Sequence, residues 1–566
     1  MKPLKDIIHR IFSPDVLVWF YPALLIIPNI ILDITEFSSP LVKAANILLP
    51  LGVYLLLMGL WKNVGRTALF LFPVLFYAAF QIVLLYLYGE SIIAVDMILN
   101  VFTTNISEAT ELLGNLAIAI ITVLILYIPP LIISIALVSG KKYAEADTMR
   151  KARKTSGWLL AVGGVCLLAC FIFVPRFNIL RDIFPVNVMH NTVTALKRTA
   201  ATEDYYRTSA NFSYKATSSR PVEDKEIYVL VIGETSRADN WQLFGYDRPT
   251  NPRLSHRDGL LKYPKTLSES NTTHKSVPLM MSWVTAKNFG DSIYTAKSVI
   301  SAFNESGYRT AFFSNQGRNH SFIDFFAREA QSTIFLHDDS QTHYDAELVP
   351  MLIRFINESP SNKLFIVLHT YGSHFNYNER YPADRSVFTP DGNTEADRAN
   401  RDELINAYDN TIVYTDALLA GIISALEAQN CRSALMYLSD HGEDIFDDRR
   451  GRFLHASPVP TYWQLHVPLL IWMSAQLRES QPELYAAGAK HQNLNVASSR
   501  VVFDTMLSLA GIETPYADRA KALTDSTYHQ GKRLYLNDYN EGVVLDAAGL
   551  RSYDRDMLAS KGIAEK

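Results

Sequence analysis

The chain has 566 residues, more than one hydrophobic core accommodates, so we expect at least two domains. The formal net charge is −4, which gives no indication of a basic nucleic-acid-binding surface, and no nucleic acid is expected as a partner. Cys431 is the only cysteine after residue 175, so the second part of the chain cannot form an internal disulfide.

The first 175 residues contain five long apolar stretches, each close to the ~20 residues that cross a bilayer as a helix. The first stretch is longer than the apolar core of a usual signal peptide, and no small-residue cleavage site follows it. We therefore predict an α-helical membrane domain over residues 1–175. The five predicted spans are residues 16–34, 44–61, 67–88, 115–138 and 157–174.

Basic residues are concentrated in alternate connections between these spans. The connections after spans one and three contain almost no basic residues, with Lys43 as the exception. This distribution predicts a cytoplasmic amino terminus and, with five spans, places everything after Pro175 outside the cytoplasm. The basic residues are Lys2, Lys5 and Arg10, then Lys62 and Arg66, then Lys141, Lys142, Arg150, Lys151, Arg153 and Lys154.

The second part of the chain has the pattern of a soluble α/β domain. Residues 176–225 are polar and irregular, and we interpret them as a linker with short helices along the membrane surface. From 226 to 566, apolar strand candidates alternate with helical ones, which predicts a mostly parallel sheet flanked by helices. The strand candidates are 227–232, 309–314, 364–369, 434–438, 467–473 and 533–537; the helical ones are 294–305, 345–357, 397–428 and 497–510.

Two acidic motifs follow two of the apolar strand candidates directly. Glu234 comes after 227–232, and Asp440 with His441 comes after 434–438. Ligands of open α/β sheets gather beyond the carboxyl ends of strands, so these side chains are expected to meet. Carboxylate oxygens and an imidazole suit zinc or manganese, so we predict a metal site there.

A hydroxyl-rich stretch, Ser270 to Pro278, lies between the two motifs. A threonine hydroxyl is a poor nucleophile at neutral pH, but coordination to a divalent cation favours its alkoxide. A metal held by Glu234, Asp440 and His441, with one threonine as fourth ligand, would generate a nucleophile.

The motifs together resemble those of the bacterial phosphoethanolamine transferases of the alkaline phosphatase and sulfatase superfamily. They are GETSRADNWQLFGYDRPTNP from Gly233, NTTHKSVPLM from Asn271 and SDHGE from Ser439, with NVFTTNISEATELL from Asn100 in the membrane part. The resemblance implies transfer of phosphoethanolamine from phosphatidylethanolamine, through a covalent threonine intermediate, to lipopolysaccharide.

Carried over by position, the resemblance implies that Thr273 is the nucleophile, with Thr272 as its neighbouring rival. It implies zinc ligands Glu234, Thr273, Asp440 and His441, with manganese less favoured and a second zinc during turnover left open. The family often has Thr-Ala-Tyr where this chain has Thr273-His274-Lys275, and often has cysteines flanking that loop, which are absent here. These departures resemble the branch that modifies the lipopolysaccharide core more than the branch that modifies lipid A.

Further residues match the family's motifs around the site. His374 in LHTYGSH and His455 in RFLHASP could hold the phosphate, bind a second zinc or protonate the leaving group. Arg318 could clamp a phosphate oxygen, although a structural ion pair is an equal alternative. A helix cap is the alternative role for Thr273, and polar positions of an interfacial helix are the alternative for Glu108. The predicted substrate-binding residues are Asn315 and Arg318, with Tyr88, Thr104 and Glu108 for the ethanolamine head group.

The leading prediction is a monomeric, zinc-dependent phosphoethanolamine transferase of the inner membrane, with a periplasmic catalytic domain. The acceptor, a core heptose or a lipid A phosphate, stays open. One alternative is a glycerophosphate transferase resembling lipoteichoic acid synthase, and another is a catalytically inactive membrane scaffold. A sulfatase is disfavoured because Met280 stands where the formylglycine motif requires arginine.

Overall fold

The computed structural model describes residues 13–36, 38–88, 92–103, 116–221, 223–338 and 341–563. The chain divides into two units. One comprises Met1–Ile98 and Leu112–Lys197, and the other comprises Leu99–Glu111 and Arg198–Lys566.

The first unit is helical. Within the described residues, four helices are long and apolar enough to cross a membrane, or five if a pair bent by 55° counts as one span. This matches the predicted helical membrane part. The four are Pro14–Thr35 (α1, Pro14–Leu25, with α2, Ile27–Thr35), Pro40–Leu60 (α3), Ile118–Ser139 within α7 (Ala117–Ser139) and Ala146–Phe173 (α8); the bent pair is Val64–Phe70 (α4) with Phe72–Tyr88 (α5), and α6 is Val95–Thr103.

Local sequence explains where these helices begin and how they pack. The Ser39 side chain caps α3 by accepting a bond from Val42 N, and proline takes the first position of the helix. Small residues allow α3 and α8 to approach closely, with Gly52 against Leu160 and Gly163 against Leu49.

The second unit is built on a sheet that has seven strands in the described residues. Their order is β2-β7-β6-β1-β5-β3-β4, and all neighbours run parallel except at β7, which is antiparallel to β6 and to β2. The strands are Glu226–Gly233 (β1), Leu260–Lys262 (β2), Arg309–Ser314 (β3), Ser332–Phe335 (β4), Lys363–His369 (β5), Arg432–Ser439 (β6) and Leu469–Met473 (β7).

The central strands are buried on both faces, which is why their middle residues are apolar. In β1, Tyr228, Leu230 and Ile232 point into one hydrophobic core, and Ile227, Val229 and Val231 point into the other. Helices cover both faces, so the unit has three layers. Those on the first core are Thr273–Met281 (α10), Val299–Glu305 (α11) and Ser498–Ala510 (α14); those on the second are Leu348–Glu358 (α12) and Arg401–Glu427 (α13).

The mostly parallel sheet flanked by helices is confirmed, with two differences of detail. The predicted strand 533–537 was wrongly assigned to the main sheet, because Leu534–Leu536 pairs with Gly542–Val544 in a separate antiparallel hairpin. The edge strands β2 and β4 were missed. Residues 176–225 contain helices Ile179–Asp182, Val186–Glu203 (α9) and Tyr205–Thr208, and the remaining helices include Phe322–Ala327, Pro482–His491 and Ser552–Ser560.

Candidate metal centre and nucleophile

The sheet brings Glu234 and Asp440 to the same edge because each directly follows one of two paired parallel strands. Gly233 at the end of β1 is in register with Ser439 at the end of β6. The amide of Asp440 then donates to the carbonyl of Gly233 at 3.0 Å. The register of β1 and β6 therefore sets the two acidic side chains, with His441, at one place.

Lone pairs from these residues converge on one point. His441 Nδ1 faces the carbonyl of Gly442 at 2.9 Å and must carry a proton to bond it, so Nε2 of the neutral ring carries a lone pair. That Nε2 lies 3.2 Å from Asp440 Oδ2 and 3.5 Å from Glu234 Oε1. Thr273 Oγ1 lies 3.1 Å from both Glu234 Oε1 and His441 Nε2, and its one proton can bond only one of them.

Burial makes this cluster unfavourable unless a cation balances it. Desolvation raises the pKa of Glu234, and it raises that of Asp440 well above the ordinary value, with the charge of Glu234 adding to the effect. Desolvation also lowers the pKa of His441. Two carboxylates and a neutral imidazole facing one another in a dry site repel, whereas a divalent cation between them would attract all three.

The ligand atoms that meet at this site suit a zinc ion. Glu234, Asp440 and His441 are buried, and one ligand atom of each lies within 4.8 Å of the others. Asp440 Oδ1 accepts bonds from the amides of Thr235 and His441, whereas Oδ2 accepts no hydrogen bond from the described residues. This orphaned oxygen, Glu234 Oε1, the imidazole nitrogen of His441 and the Thr273 hydroxyl together have the composition of a four-coordinate zinc site.

The two rival threonines differ in where their hydroxyls lie. Thr273 is the first residue of α10, is half-buried and reaches the convergent lone pairs. Thr272 precedes the helix, is buried, and its hydroxyl pairs with Ser270 Oγ at 3.2 Å. Thr273 is therefore the threonine that the fold presents to Glu234 and His441, and it does not act as the helix cap.

His455 and His374 form a second layer beside this centre. The ring centroids of His455 and His441 are 4.2 Å apart, and those of His455 and His374 are 6.0 Å apart. His455 Nδ1 lies 3.4 Å from the Glu443 carboxylate, which also accepts a bond from the Tyr377 hydroxyl. Glu443 is buried, and its contact with Nδ1 orients the His455 ring.

His374 differs from His455 in its electrostatic setting. Its Nδ1 bonds the carbonyl of Phe375 at 2.8 Å, and desolvation lowers the pKa of the ring to about 3. His374 is therefore neutral near neutral pH and suits binding through a lone pair better than proton donation.

The loop that leads to His374 is held by a buried carboxylate. Asp345 accepts bonds from the amides of Tyr371 and Gly372 at 2.8 and 2.9 Å, and from Asn315 Nδ2 at 2.9 Å. Asn315 is thus placed beside the loop carrying His374, but its amide nitrogen is already engaged by Asp345.

The other predicted substrate-binding residues either have a different partner in the described part of the chain or have side chains outside it. Arg318 pairs with Asp338 at 2.8 Å and lies over the ring of Phe335, so it forms the ion pair that was the alternative to phosphate binding. Its role as a phosphate clamp stays a prediction. Tyr88 ends α5, but its side chain is outside the described residues, as are Thr104 and Glu108 altogether.

Two residues at the site were missed by sequence reasoning. Gln316 donates from Nε2 to Glu234 Oε2 at 3.1 Å and to the carbonyl of Thr370 at 2.8 Å. Asn271 is buried two residues before Thr273. The only sequence signal for Gln316 was its place next to Asn315 beyond the end of β3, and Asn271 had only its place in the hydroxyl-rich stretch.

Comparisons with known proteins agree with this fold. The sulfatase family model matches residues 226–512. Phosphoethanolamine transferase EptA of Salmonella typhimurium is 32% identical over 306 residues, which cover 52% of this chain and 55% of that protein. The chain thus spans little more than half the length of the curated relatives that it matches.

Two solved structures extend the likeness in fold. The integral membrane lipooligosaccharide phosphoethanolamine transferase A (EptA) from Neisseria meningitidis has a TM-score of 0.68 at 20% identity, covering 91% of this chain and 96% of that one. The periplasmic domain of EptC from Escherichia coli, in complex with Zn, has a TM-score of 0.54 at 23% identity, covering 60% of this chain and 97% of that one. The chain belongs to the sulfatase family.

Proposed function

We propose that the protein transfers phosphoethanolamine from phosphatidylethanolamine to lipopolysaccharide through a covalent intermediate on Thr273. One observation carries the proposal. The Thr273 hydroxyl lies 3.1 Å from Glu234 Oε1 and from His441 Nε2, beside the unpartnered Asp440 Oδ2. A nucleophile poised among metal-ligand atoms suits phosphoryl transfer, and the relative EptA bears the name of that activity.

Glu234, Asp440, His441 and Thr273 would hold one zinc ion. When bound, zinc supplies a Lewis acid that stabilises the alkoxide form of a hydroxyl and the charge on a phosphoryl oxygen. The Zn complex of the EptC domain supports zinc over manganese for a chain of this fold.

In the first step, Thr273 Oγ1 attacks the phosphorus of the donor lipid. The new Oγ–P bond replaces the bond from phosphorus to the diacylglycerol oxygen, and the hydroxyl proton passes to solvent at the half-buried side chain. The departing oxygen needs a proton, and we assign its donation to His455, whose ring centroid lies 4.2 Å from that of His441. Because Glu443 engages Nδ1, Nε2 is the His455 nitrogen that exchanges the proton.

In the second step, the acceptor oxygen attacks the same phosphorus and Thr273 Oγ1 leaves. A hydroxyl acceptor on a sugar would return its proton to His455, and the released Thr273 oxygen would take a proton from solvent, so both groups are restored. An acceptor phosphate oxygen carries no proton to give, so His455 would then also take its proton from solvent.

With an acceptor phosphate, the donor's phosphodiester is replaced by a phosphoanhydride. With a sugar hydroxyl as acceptor, one phosphodiester is broken for each one formed, so that exchange needs no nucleotide. This fits a catalytic domain outside the cytoplasm of a protein with apolar helices in its first unit.

The decisive experiment is mass spectrometry of the intact protein, purified in detergent and incubated with phosphatidylethanolamine. We expect a phosphoethanolamine adduct that peptide mapping assigns to Thr273. Thr273→Ala should form no adduct, whereas the matched variant Thr272→Ala should form it.

Mass spectrometry of the cell's glycolipids then identifies the acceptor as a core heptose or a lipid A phosphate. An adduct carrying glycerol phosphate would replace the proposal with the glycerophosphate transferase. An adduct retained in Thr273→Ala would refute the assignment of the nucleophile.

A further inference from the structure

Asn271 has a buried side chain whose hydrogen-bonding groups are all engaged. Its amide nitrogen donates to the carbonyl of Ser457 at 2.8 Å and to Gln464 Oε1 at 2.7 Å. Its amide oxygen accepts a bond from the Tyr535 hydroxyl at 2.8 Å. Because a backbone carbonyl can only accept, the bond to Ser457 fixes which end of the amide faces which partner. At 3% exposure, each of these bonds is costly to leave unmade.

The partners of Asn271 include the segment that immediately follows His455. The amide of Ala456 donates to the Asn271 carbonyl at 3.1 Å, and the Ser457 carbonyl accepts from the side chain. Leu454 and Ala456, on either side of His455, have φ of 66° and 63°. Non-glycine residues pay for this left-handed conformation, so the segment needs outside contacts to hold it. Asn271 supplies two of them.

The same side chain also connects to the strand end that carries the metal ligands. Gln464, which accepts from Asn271, donates from Nε2 to Asp444 Oδ2 at 2.8 Å and accepts at its carbonyl from the amide of Gly442 at 2.8 Å. Asn271 therefore lies between three segments: its own loop, the loop of His455, and the residues that follow His441.

We infer that Asn271 is a positioning residue that holds the His455 ring at its working distance from Thr273 Oγ1. Only Thr272 separates it from Thr273 along the chain. One side-chain and one main-chain hydrogen bond connect it to the neighbours of His455. The role rests on the proposed function, in which His455 gives a proton to the oxygen that Thr273 displaces. Because proton transfer falls steeply with misplacement, losing this contact should slow the chemical step more than it weakens donor binding.

The test compares Asn271→Asp with the wild-type protein, both full-length and zinc-loaded. Aspartate keeps an oxygen for Tyr535 but sets a second oxygen against Ser457 and Gln464. We expect kcat for adduct formation with phosphatidylethanolamine to fall about 100-fold, with KM for the donor changed less than about twofold and zinc stoichiometry unchanged. Amide hydrogen exchange of residues 454–457 should accelerate.

Asn304→Asp is the matched control, because the Asn304 side chain also bonds a backbone carbonyl and a hydroxyl. Its amide nitrogen donates to the carbonyl of Glu329 at 2.7 Å, and its amide oxygen accepts from the Thr310 hydroxyl at 2.8 Å. It should keep the wild-type kcat. Asn271→Ser serves if the aspartate variant does not fold, since its smaller side chain leaves room for water.

Each outcome decides the inference. A wild-type kcat, unchanged exchange at 454–457, or equal loss of zinc and kcat in the Asn271 variants would overturn it. Failure of the wild-type protein itself to form the adduct would instead overturn the proposed function, and the exchange measurement would then decide alone whether Asn271 holds the His455 loop.

Discussion

Gln316 contacts the carboxylate of Glu234 in the candidate metal centre. Its amide engages Oε2 at 3.1 Å, which leaves Oε1 to face Thr273 and His441. The same amide is anchored on the carbonyl of Thr370 at 2.8 Å, so its orientation is fixed by the loop after β5. Replacing a residue that orients a metal ligand commonly weakens metal binding 10- to 100-fold, on the order of the values known for such partners.

We expect Gln316→Leu to weaken zinc binding about 10- to 100-fold, because Glu234 Oε2 loses its hydrogen bond and only Oε1 stays held, by the Thr235 hydroxyl at 2.9 Å. Competition titration with a chromogenic chelator measures this directly. Gln492→Leu is the control, since Gln492 is a half-buried glutamine that accepts from the amide of Lys262 at 2.8 Å. Equal zinc affinity in wild type and Gln316→Leu would show that Glu234 is oriented without it.

Residues with strong chemical signatures were the ones that sequence could predict. Glu234, Asp440 and His441 follow apolar strands, and the fold brings all three together. Gln316 and Asn271 carry no such signature, because an amide becomes functional only through its rotamer and through partners far away in sequence. Arg318 is the opposite case, because it is a charged residue beyond a strand end whose partner is not part of the site. That partner, Asp338, could not be deduced from the spacing of residues in the sequence.

Glu269, four residues before Thr273, is a buried carboxyl whose pKa the fold changes. Burial raises its pKa to about 7 from an ordinary value of 4.5, despite a bond from the amide of Ser499. The folded protein thus keeps this proton up to about pH 7, whereas the unfolded chain releases it near 4.5. The stabilising contribution is complete below pH 4.5 and is lost as the pH rises through 7.

Relative to Glu269→Gln, wild-type protein should therefore lose up to about 3 kcal/mol of unfolding free energy between pH 4.5 and pH 8. Thermal unfolding of both proteins in detergent, with zinc present, measures the difference across this range. A difference that is constant with pH, or that moves in favour of the wild type as pH rises, would contradict a raised pKa.

At the scale of elements, the centre depends on three neighbouring parallel strands ending in register. Gly233 of β1 is level with Ser439 of β6, and Ile232 is level with His369 of β5. Long buried strands have an unmistakable apolar pattern, which is why these three were predictable. The edge strands β2 and β4 have only three and four residues, too few for a pattern to stand out. Leu534–Leu536 was predicted as a strand of the main sheet because local composition does not show which strand a segment pairs with.

Gly372 shows how closely the loop after β5 packs on the end of β1. Its φ is +56°, and a Cβ there would lie 2.6 Å from the Glu234 carbonyl oxygen and 2.9 Å from the Glu234 nitrogen. Gly372→Ala should therefore displace Glu234 and lower both stability, by about 1–3 kcal/mol, and zinc affinity. Thermal unfolding and chelator titration give the two quantities.

Gly307→Ala is the control for backbone strain alone, because φ is +83° but nothing lies within 4 Å of the added carbon. It should lose stability and keep the wild-type zinc affinity. If Gly372→Ala also binds zinc as the wild type does, the packing of this loop does not set the position of Glu234.

At the scale of the whole molecule, hydropathy distinguishes the two parts of the chain, but it does not settle how often the chain crosses the membrane. In the described residues, α4 and α5 meet at 55°, and they can form either one bent span or a turn that returns to the same side. Apolar composition is equal in both cases. The difference matters, because the crossing number decides on which side the metal centre faces.

The charge pattern favours five crossings, and cysteine labelling can test this. With Cys166, Cys170 and Cys431 replaced by serine, single cysteines are placed at the exposed positions Lys142 and Ser526. Five crossings with a cytoplasmic amino terminus put Lys142 inside and Ser526 outside. A membrane-impermeant maleimide on spheroplasts should then label Ser526→Cys at once and Lys142→Cys only after permeabilisation.

If α4 and α5 turned back instead of crossing, both positions would exchange sides and the labelling would invert. Thr273 would then lie in the cytoplasm, away from any periplasmic acceptor. Detergent-solubilised samples, in which both cysteines should react, confirm that a protected position is shielded by the membrane and not by the fold.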